Sequence, residues 1–296
     1  MSLGRSELIL NPDGSIYHLN LLPEDIADTI LTVGDPGRVS QVSNYFDSIE
    51  VKKSKREFTT HTGILSGKRI TVISTGIGTD NIDIVLNELD ALANIDFSSR
   101  RVKTEKRQLS FIRIGTSGSI QANIPIDSFV LSSSGIGFDG LLQFYDSGQA
   151  RNQELEAELN GYLGWQSHNI TAYAADCDER LGLKFESNRI RFGITVTNSG
   201  FYGPQGRSLR AAPRIPDFNE RLAAFTYQNQ RITNLEMETA GIYGLAKLHG
   251  HRAVSLNAIL ANRATGEFSN NGKKAIEELI QFTLGKITAS DFDLGY

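Results

Sequence analysis

Short apolar runs punctuate this chain: Thr29 to Val33, Arg69 to Ser74, Leu109 to Ile114, Ser128 to Ser132, Arg191 to Thr197 and Ala253 to Leu260. Each has the length and composition of a buried strand, so at least six core strands are predicted. Between them, Thr79 to Asn94 sets Ile82, Leu86, Leu89 and Leu92 on one helical face, and Ile276, Leu279, Ile280 and Leu284 repeat the arrangement near the C-terminus. Strands that are apolar throughout, rather than alternating, are covered on both sides. The pattern therefore predicts an α/β fold, three layers deep, around a mostly parallel or mixed sheet. No low-complexity linker divides the chain, and residues 1–296 are read as a single domain.

In folds of this kind ligands gather at the carboxyl ends of the strands. Four such ends carry polar or glycine-rich segments: Gly34 to Arg38, Gly115 to Gly118, Asn198 to Arg207, and Asn262-Arg263. Ser98 to Lys106 departs from the pattern, crowding Arg100, Arg101, Lys103 and Lys106 into one polar connection. Residues 95–108 read as a surface insertion. They do not read as a nucleic-acid patch, because Glu105 dilutes the charge and no aromatic side chain is interleaved for stacking.

Composition narrows the class. Hydrophobic residues make up 40% and charged residues 22% of the 296, within the range of a globular enzyme. A net charge of −4 argues against a general nucleic-acid binder. Cys177 is the only cysteine, so no disulfide forms within the chain; without basic neighbours it reads as a buried thiol rather than a nucleophile. No run approaches the ~20 apolar residues of a membrane span, and no signal core is evident. A cytoplasmic protein with no membrane association is expected.

The candidate chemistry starts at Phe111-Ile112-Arg113-Ile114-Gly115-Thr116-Ser117-Gly118, read as an apolar strand ending in a glycine-rich turn. Backbone N–H groups there can approach an anion while Arg113 offers a planar fork of donors. The spacing is neither G-x-x-x-x-G-K-[ST] nor G-x-G-x-x-G, which disfavours ATP and NAD. Gly34-Asp35-Pro36-Gly37-Arg38 forms a second candidate, with Arg38 where a helix begins and its free N–H groups can join the guanidinium around phosphate. In Leu235-Glu236-Met237-Glu238-Thr239-Ala240 a strand-like run meets a helix, and a carboxylate there can accept from the hydroxyls of a pentose. In Ser199 to Arg207, Gln205 and Arg207 can read the polar edge of a planar base while an aromatic ring contacts its face.

These segments, with Arg56-Glu57-Phe58-Thr59-Thr60 and Ser74-Thr75-Gly76-Ile77-Gly78, occur in an order that resembles the nucleoside phosphorylase family, on its uridine phosphorylase-like branch, from about Tyr17 to about Leu284. The resemblance implies a single α/β domain with a partly barrel-like central sheet, preceded by an extension over about residues 1–16. It implies phosphate binding by Gly34, Arg38, Arg113 and Thr116, joined by Arg56 from a neighbouring subunit. It implies ribose binding by Glu236, Met237 and Glu238, with His18 crossing the same interface to the 5′-hydroxyl. Phe201, Gln205, Arg207 and Arg263 are implied for the base, and Arg38, Arg113, Glu238 and Arg207 for catalysis.

The implied reaction is reversible phosphorolysis of uridine to uracil and ribose 1-phosphate in pyrimidine nucleoside salvage, by a homo-oligomer of at least two subunits. Inorganic phosphate is the co-substrate, and no organic cofactor is involved. Some relatives hold a cation at the dimer interface near Glu57, Ile77 and the position of Asn81. Purine-cleaving members carry a Ser-Asp pair where Asn262-Arg263 stands here, and Asn cannot protonate a purine nitrogen. The remaining alternatives are a purine or broad-specificity phosphorylase and a non-catalytic nucleoside-binding protein on the same fold.

Overall fold

The computed structural model describes residues 2–292. From the N-terminus the elements are β1 (Thr29–Val33), α1 (Pro36–Ser43), β2 (Ser48–Lys55), β3 (Phe58–Leu65), β4 (Lys68–Ser74) and α2 (Thr79–Asn94). A two-stranded ribbon of β5 (Ile95–Asp96) and β6 (Arg101–Val102) leads to β7 (Ser110–Ser119), β8 (Phe129–Gly137), α3 (Gln153–Leu163), β9 (Tyr173–Asp176) and α4 (Glu179–Leu183). There follow β10 (Ile190–Thr197), α5 (Phe218–Ala224), β11 (Thr226–Tyr227), β12 (Gln230–Glu236), α6 (Thr239–Leu248), β13 (Arg252–Asn262), β14 (Glu267–Phe268) and α7 (Gly272–Thr288).

All strands except the ribbon belong to one mixed sheet, ordered β11-β12-β10-β8-β13-β7-β1-β4-β3-β2, with β9 on β8 and β14 on β13. An additional antiparallel contact, Asn234 with Ser119 and Leu235 with Gly118, joins β12 back to β7. Strands β7, β13, β8, β10 and β12 therefore close into a ring, while β1, β4, β3 and β2 run on as an open wing. The closure is the barrel-like feature the resemblance implies. Alternation along β1 and β7 separates the layers: Ile30 and Phe111 pack under α2 and α6, whereas Leu31, Val33, Ile112 and Ile114 pack under α1 and α7. A further cluster lies between α3, α5 and the outer side of the ring, built on Trp165 stacked 4.9 Å from Phe218.

Two departures from the sequence reading matter for function. The apolar run that opens β7 does not end in a turn: Gly115 to Gly118 continue as strand, paired in parallel with Asn257 to Ala261 of β13. Glycine in a strand interior marks a close approach by another group, and at Gly115 that group is the Arg113 side chain. A Cβ there would fall 1.9 Å from Arg113 Nη1. The second departure is β2 and β3, which the apolar-run criterion did not pick out. β2 alternates exposed and half-buried residues on the sheet edge, so its pattern carries no continuous apolar signal.

The basic segment is only partly solvated. Arg101 and Lys106 are exposed. Arg100 instead donates to the Leu3 and Gly4 carbonyls at 2.9 and 2.8 Å, and Lys103 to that of Ala93 at 2.8 Å. The cations here tie residues 3–8, whose Leu8 enters the core, to the end of α2. Cys177 is half-buried, and burial followed by nearby acidic charges pushes its thiol to about 12, so it stays protonated.

Candidate active site

The strand ends that carry the candidate residues converge on one cleft of about 630 Å³. Gly34 and Arg38 reach it from the end of β1 and the start of α1, Gly76 and Ile77 from beyond β4, and Arg113, Thr116 and Ser117 from β7. Glu236, Met237 and Glu238 enter from the junction of β12 and α6, and Phe201, Gln205 and Arg207 from the loop after β10.

Helix α1 starts with Pro36 at its first position and Asp35 as N-cap, its Oδ1 accepting from Gly37 N at 2.8 Å. This places Arg38 in the first turn, nearly buried, with Nη1 donating to the Ile114 carbonyl at 3.1 Å. Burial and then the charge of Arg113 lower its pKa, against smaller opposing contributions from Asp35 and Glu238. The Arg38 guanidinium bonds a carbonyl and no carboxylate among the described residues. An anion placed between the helix N-terminus and Arg38 would offset its charge.

Arg113 is held on both edges of its guanidinium. Nη2 donates to Glu238 Oε2 at 2.6 Å and lies 3.1 Å from Glu236 Oε2, while Nη1 donates to Asn257 Oδ1 at 2.8 Å. Burial works against its charge, but Glu236 and Glu238 outweigh burial and hold the pKa above the ordinary value. Glu238 has the complementary problem. Burial raises its pKa, opposed chiefly by Arg113, and Gly78 N donates to Oε1 at 2.9 Å. Gly78 sits at φ 97°, a left-handed conformation that glycine adopts without strain, and this aims its N–H at the carboxylate.

Glu236 lines the cleft and is engaged by the chain on its other side. Its oxygens accept from Thr197 Oγ1 at 2.5 Å, from Thr239 N at 2.9 and 3.1 Å and from Glu238 N at 3.0 Å, so it closes the open N-terminus of α6. Neither acid is a solvated residue of a first helical turn: both are buried.

The opposite end of the cleft is built on a loop. Phe201 is 51% exposed, and the Arg207 guanidinium lies 3.8 Å from its ring centroid. Arg207 Nη1 donates to the Phe201 carbonyl at 2.7 Å and to Gln205 Oε1 at 2.5 Å, leaving the Gln205 Nε2 donors without a partner among the described residues. Partial burial, then Arg263, bring the Arg207 pKa down to about 10; its charge persists at neutral pH with no carboxylate bonded to it. Arg263 does not line the cleft. It braces the loop from behind, donating to the Gln205 carbonyl at 3.1 Å and toward that of Gly206 at 3.4 Å. Asn262 is buried and organises the next turn, its amide donating to the Gln121 and Ile124 carbonyls and its oxygen accepting from Ala264 N and Thr265 N.

His18, Arg56, Glu57 and Asn81 also lie off the cleft lining. His18 Nδ1 meets Glu88 Oε1 at 2.6 Å. Arg56 sits exposed in the β2–β3 turn at φ 56°, and its side chain makes no hydrogen bond or ion pair among the described residues. Glu57 and Asn81 flank Gly76, with Asn81 Nδ2 donating to the Ile77 carbonyl at 3.3 Å. One carboxylate and one carbonyl already accepting do not form a closed cation site within a chain, and no group of three His, Cys, Asp or Glu side chains among the described residues could hold a metal ion. Sequence reasoning missed Leu235, Leu260 and Phe268 on the walls and Ser117 on the floor. Of these, only Ser117 carried a signal, as the second hydroxyl of the β7 segment.

Fold and cleft together are those of an α/β enzyme whose cleft sets buried arginines beside a buried carboxylate, with an aromatic ring, an amide and a further arginine farther along. The chain belongs to the phosphorylase superfamily, whose family model matches residues 28–287. It is similar to the uridine phosphorylase of Thermococcus kodakarensis, 32% identical over 263 residues, covering 88% of this chain and 83% of that protein. It is also similar to the uridine phosphorylase of Haemophilus influenzae, 26% identical over 260 residues, covering 86% and 89%. Relatives named as guanosine and purine nucleoside phosphorylases match at 25% and 26% identity. Among solved structures, a Trypanosoma brucei nucleoside phosphorylase described as showing uridine phosphorylase activity superposes with a TM-score of 0.86 at 28% identity, covering 95% of this chain and all of that one.

Proposed function

We propose that this protein is a pentosyltransferase that cleaves uridine by reversible phosphorolysis, giving uracil and ribose 1-phosphate. The observation that carries the reading is the meeting, in one cleft, of Arg113 and of Arg38, whose guanidinium bonds no carboxylate among the described residues, with Arg207 and the free amide donors of Gln205 at the far end. Phosphate bound between Arg38, the α1 N-terminus and Thr116 lies beside the sugar held by Met237 and Glu238, so part of the barrier is removed by positioning. A phosphate oxygen forms the new bond to the anomeric carbon as the bond to the base nitrogen breaks. The electron pair leaves with uracil, which takes a proton from water. Positive charge growing on the ribose faces phosphate and Glu238, and negative charge on the base faces Gln205 and Arg207. No enzyme nucleophile is required.

Arg56 and His18 complete the site from a second subunit in this reading, so the working unit is at least a homodimer, and its compartment is the cytoplasm. Both side chains lie outside their own chain's cleft, which supports a contribution across an interface. The donor set at Glu57, Ile77 and Asn81 does not fit a cation within one chain, and no step depends on one. Each chain is read as a single domain over residues 1–296.

A purine-cleaving reading finds less support: Asn262 has its amide fully engaged in the turn and offers no acid to a purine nitrogen. A phosphate-dependent absorbance assay on uridine, inosine and adenosine is the test. Turnover of uridine is expected; turnover of purine nucleosides alone would sink the pyrimidine assignment, and turnover of none would leave a binding protein.

A further inference from the structure

Where β13 parts from β8, a side chain takes the place of the ladder. The two strands pair antiparallel at Leu256 with Leu131, Asn257 with Val130 and Ala258 with Phe129, so the register would next set Ser255 opposite Ser132. Instead, Ser255 N donates to Tyr243 Oη at 2.8 Å, and Tyr243 Oη donates to the Ser132 carbonyl at 2.7 Å. One phenol hydroxyl bridges the pair. A residue farther along β8, Cys177 N donates to the Ser133 carbonyl at 3.0 Å, and β9 takes over the edge from Ser134. Tyr243 thus fills a three-strand junction. It is fully buried, and burial holds its pKa well above the ordinary tyrosine value, so the hydroxyl stays protonated and can both donate and accept.

The residue held in this way is a neighbour of Arg113. Ser255 and Arg113 are register partners on β13 and β7, and Arg113 Nη1 lies 3.4 Å from Ser255 Oγ. The same Oγ lies 2.8 Å from Thr239 Oγ1 and 3.3 Å from Asn257 Nδ2, which is itself 3.4 Å from Ser132 Oγ. Asn257 Oδ1 takes the shorter bond from Arg113 Nη1, at 2.8 Å. Thr239 and Tyr243 stand one turn apart on α6, so Ser255 is gripped at its hydroxyl by the first and at its N–H by the second. α6 comes this close because Gly135 of β8 has no side chain: a Cβ there would lie 2.8 Å from Ala240 Cα. The helix that begins directly after Glu238 is therefore fixed to the strand that carries Ser255 and Asn257. Glu238 and Glu236 hold Nη2 of Arg113, and those two residues hold Nη1.

We propose that Tyr243 is a positioning residue for Arg113: by bridging Ser255 and Ser132, its hydroxyl sets β13 against α6 so that the guanidinium is aimed at phosphate. The proposal rests on the phosphorolysis reading given above. It adds to the phosphate end a residue that lies outside the cleft lining.

The test measures binding of inorganic phosphate calorimetrically, and phosphorolysis by initial rates, on the full-length protein. Tyr243→Phe keeps the ring and removes only the bridging hydroxyl; the phosphate dissociation constant should rise roughly 3- to 10-fold, the worth of one hydrogen bond, and kcat/KM should fall by a similar factor. Uridine binding without phosphate should stay within about twofold, because the base end is built separately. Tyr173→Phe is the control, since its phenol is equally buried but bonds Asp139. It should lower the melting temperature while leaving phosphate binding within about twofold. Thr239→Val removes the other grip on Ser255 without touching the junction, and should weaken phosphate binding roughly 2- to 5-fold, with Thr239→Ser restoring the wild-type value.

Wild-type phosphate affinity in Tyr243→Phe, or a loss no greater than that of Tyr173→Phe, would overturn the positioning role. Equal phosphate binding by Thr239→Val and Thr239→Ser would overturn the grip on Ser255, and decides against the proposal if Tyr243→Phe does not fold. Failure of the wild type to cleave uridine while it binds phosphate would reject the functional reading alone, since the variants are then compared on phosphate binding. Binding of no phosphate would reject both.

Discussion

The two ends of the cleft are built by different means. At the phosphate end Arg38, Arg113, Glu236 and Glu238 are buried and bonded within the chain: Arg38 to a β7 carbonyl, Arg113 to Glu238 and Asn257, and Glu236 across the start of α6. At the base end Phe201 and Tyr202 are about half exposed, and Arg207 rests on Phe201 in a loop between β10 and α5. Rigid strand ends fix the geometry that the reaction needs, while the loop holds donors available for whichever ring enters. Substitutions at the first end should therefore act on kcat/KM as a whole, and those at the second mainly on nucleoside KM.

Arg113→Ala is the strongest test of that contrast. It removes a phosphate-facing cation and leaves Glu238 buried without its partner, so kcat/KM for phosphorolysis should fall roughly 10²- to 10³-fold, a loss typical of removing one preorganised donor. Wild-type activity at limiting phosphate would show that this end of the cleft is not where phosphate binds. Gly115→Ala probes the same end without touching a functional group. The new methyl would overlap Arg113 Nη1 and Cζ, at 1.9 and 2.4 Å, and the guanidinium must move. A displacement near 1 Å is expected to cost about 100-fold in rate. Activity near wild type, measured in the same assay, would mean that the Arg113 position is not critical.

The pH profile separates the ends by a different route. Burial raises the Glu238 pKa, so the acid limb of kcat/KM should lie above the ordinary glutamate range near ~4.3. The native state then binds this proton more tightly than the unfolded chain. Glu238 accordingly adds stability as pH falls from its raised value toward the ordinary one, over the same interval in which activity is lost. Glu238→Gln should abolish that limb, and a limb that persists unchanged in the variant would assign it to another group.

Much of this architecture is legible in the sequence, and the gaps have physical causes. The continuous apolar runs located β1, β4, β7, β8, β10 and β13, because burial on both faces leaves an unbroken signal, whereas β12 was legible only as the strand-like end at Leu235. β2 lies at the open edge and lacks the signal, and β3, one strand in, has its apolar residues interrupted by Thr59, Thr60, His61 and Thr62. Gly115 to Gly118 read as a turn because glycine most often serves turns; here two strands hold it extended and an arginine folds over it. The acids of Glu236-Met237-Glu238 were legible as a pair, but their separate duties were not. Those depend on which N–H groups the start of α6 leaves open, a tertiary fact.

The smallest effects are expected where the loop alone acts. Arg207→Gln removes an uncompensated charge and the contact to Phe201, and nucleoside KM should rise about tenfold while phosphate KM stays within about twofold, the pattern of a lost binding contact rather than lost positioning. Phe201→Leu keeps an apolar wall but removes the ring, whose face is worth roughly 0.5–1.5 kcal/mol beyond area, or a few-fold in nucleoside KM. Initial-rate kinetics with each substrate varied in turn distinguishes the two ends directly. If Arg207→Gln raised phosphate KM as much as nucleoside KM, the loop would be shaping the whole cleft, and the division between a fixed end and an adaptable one would fail.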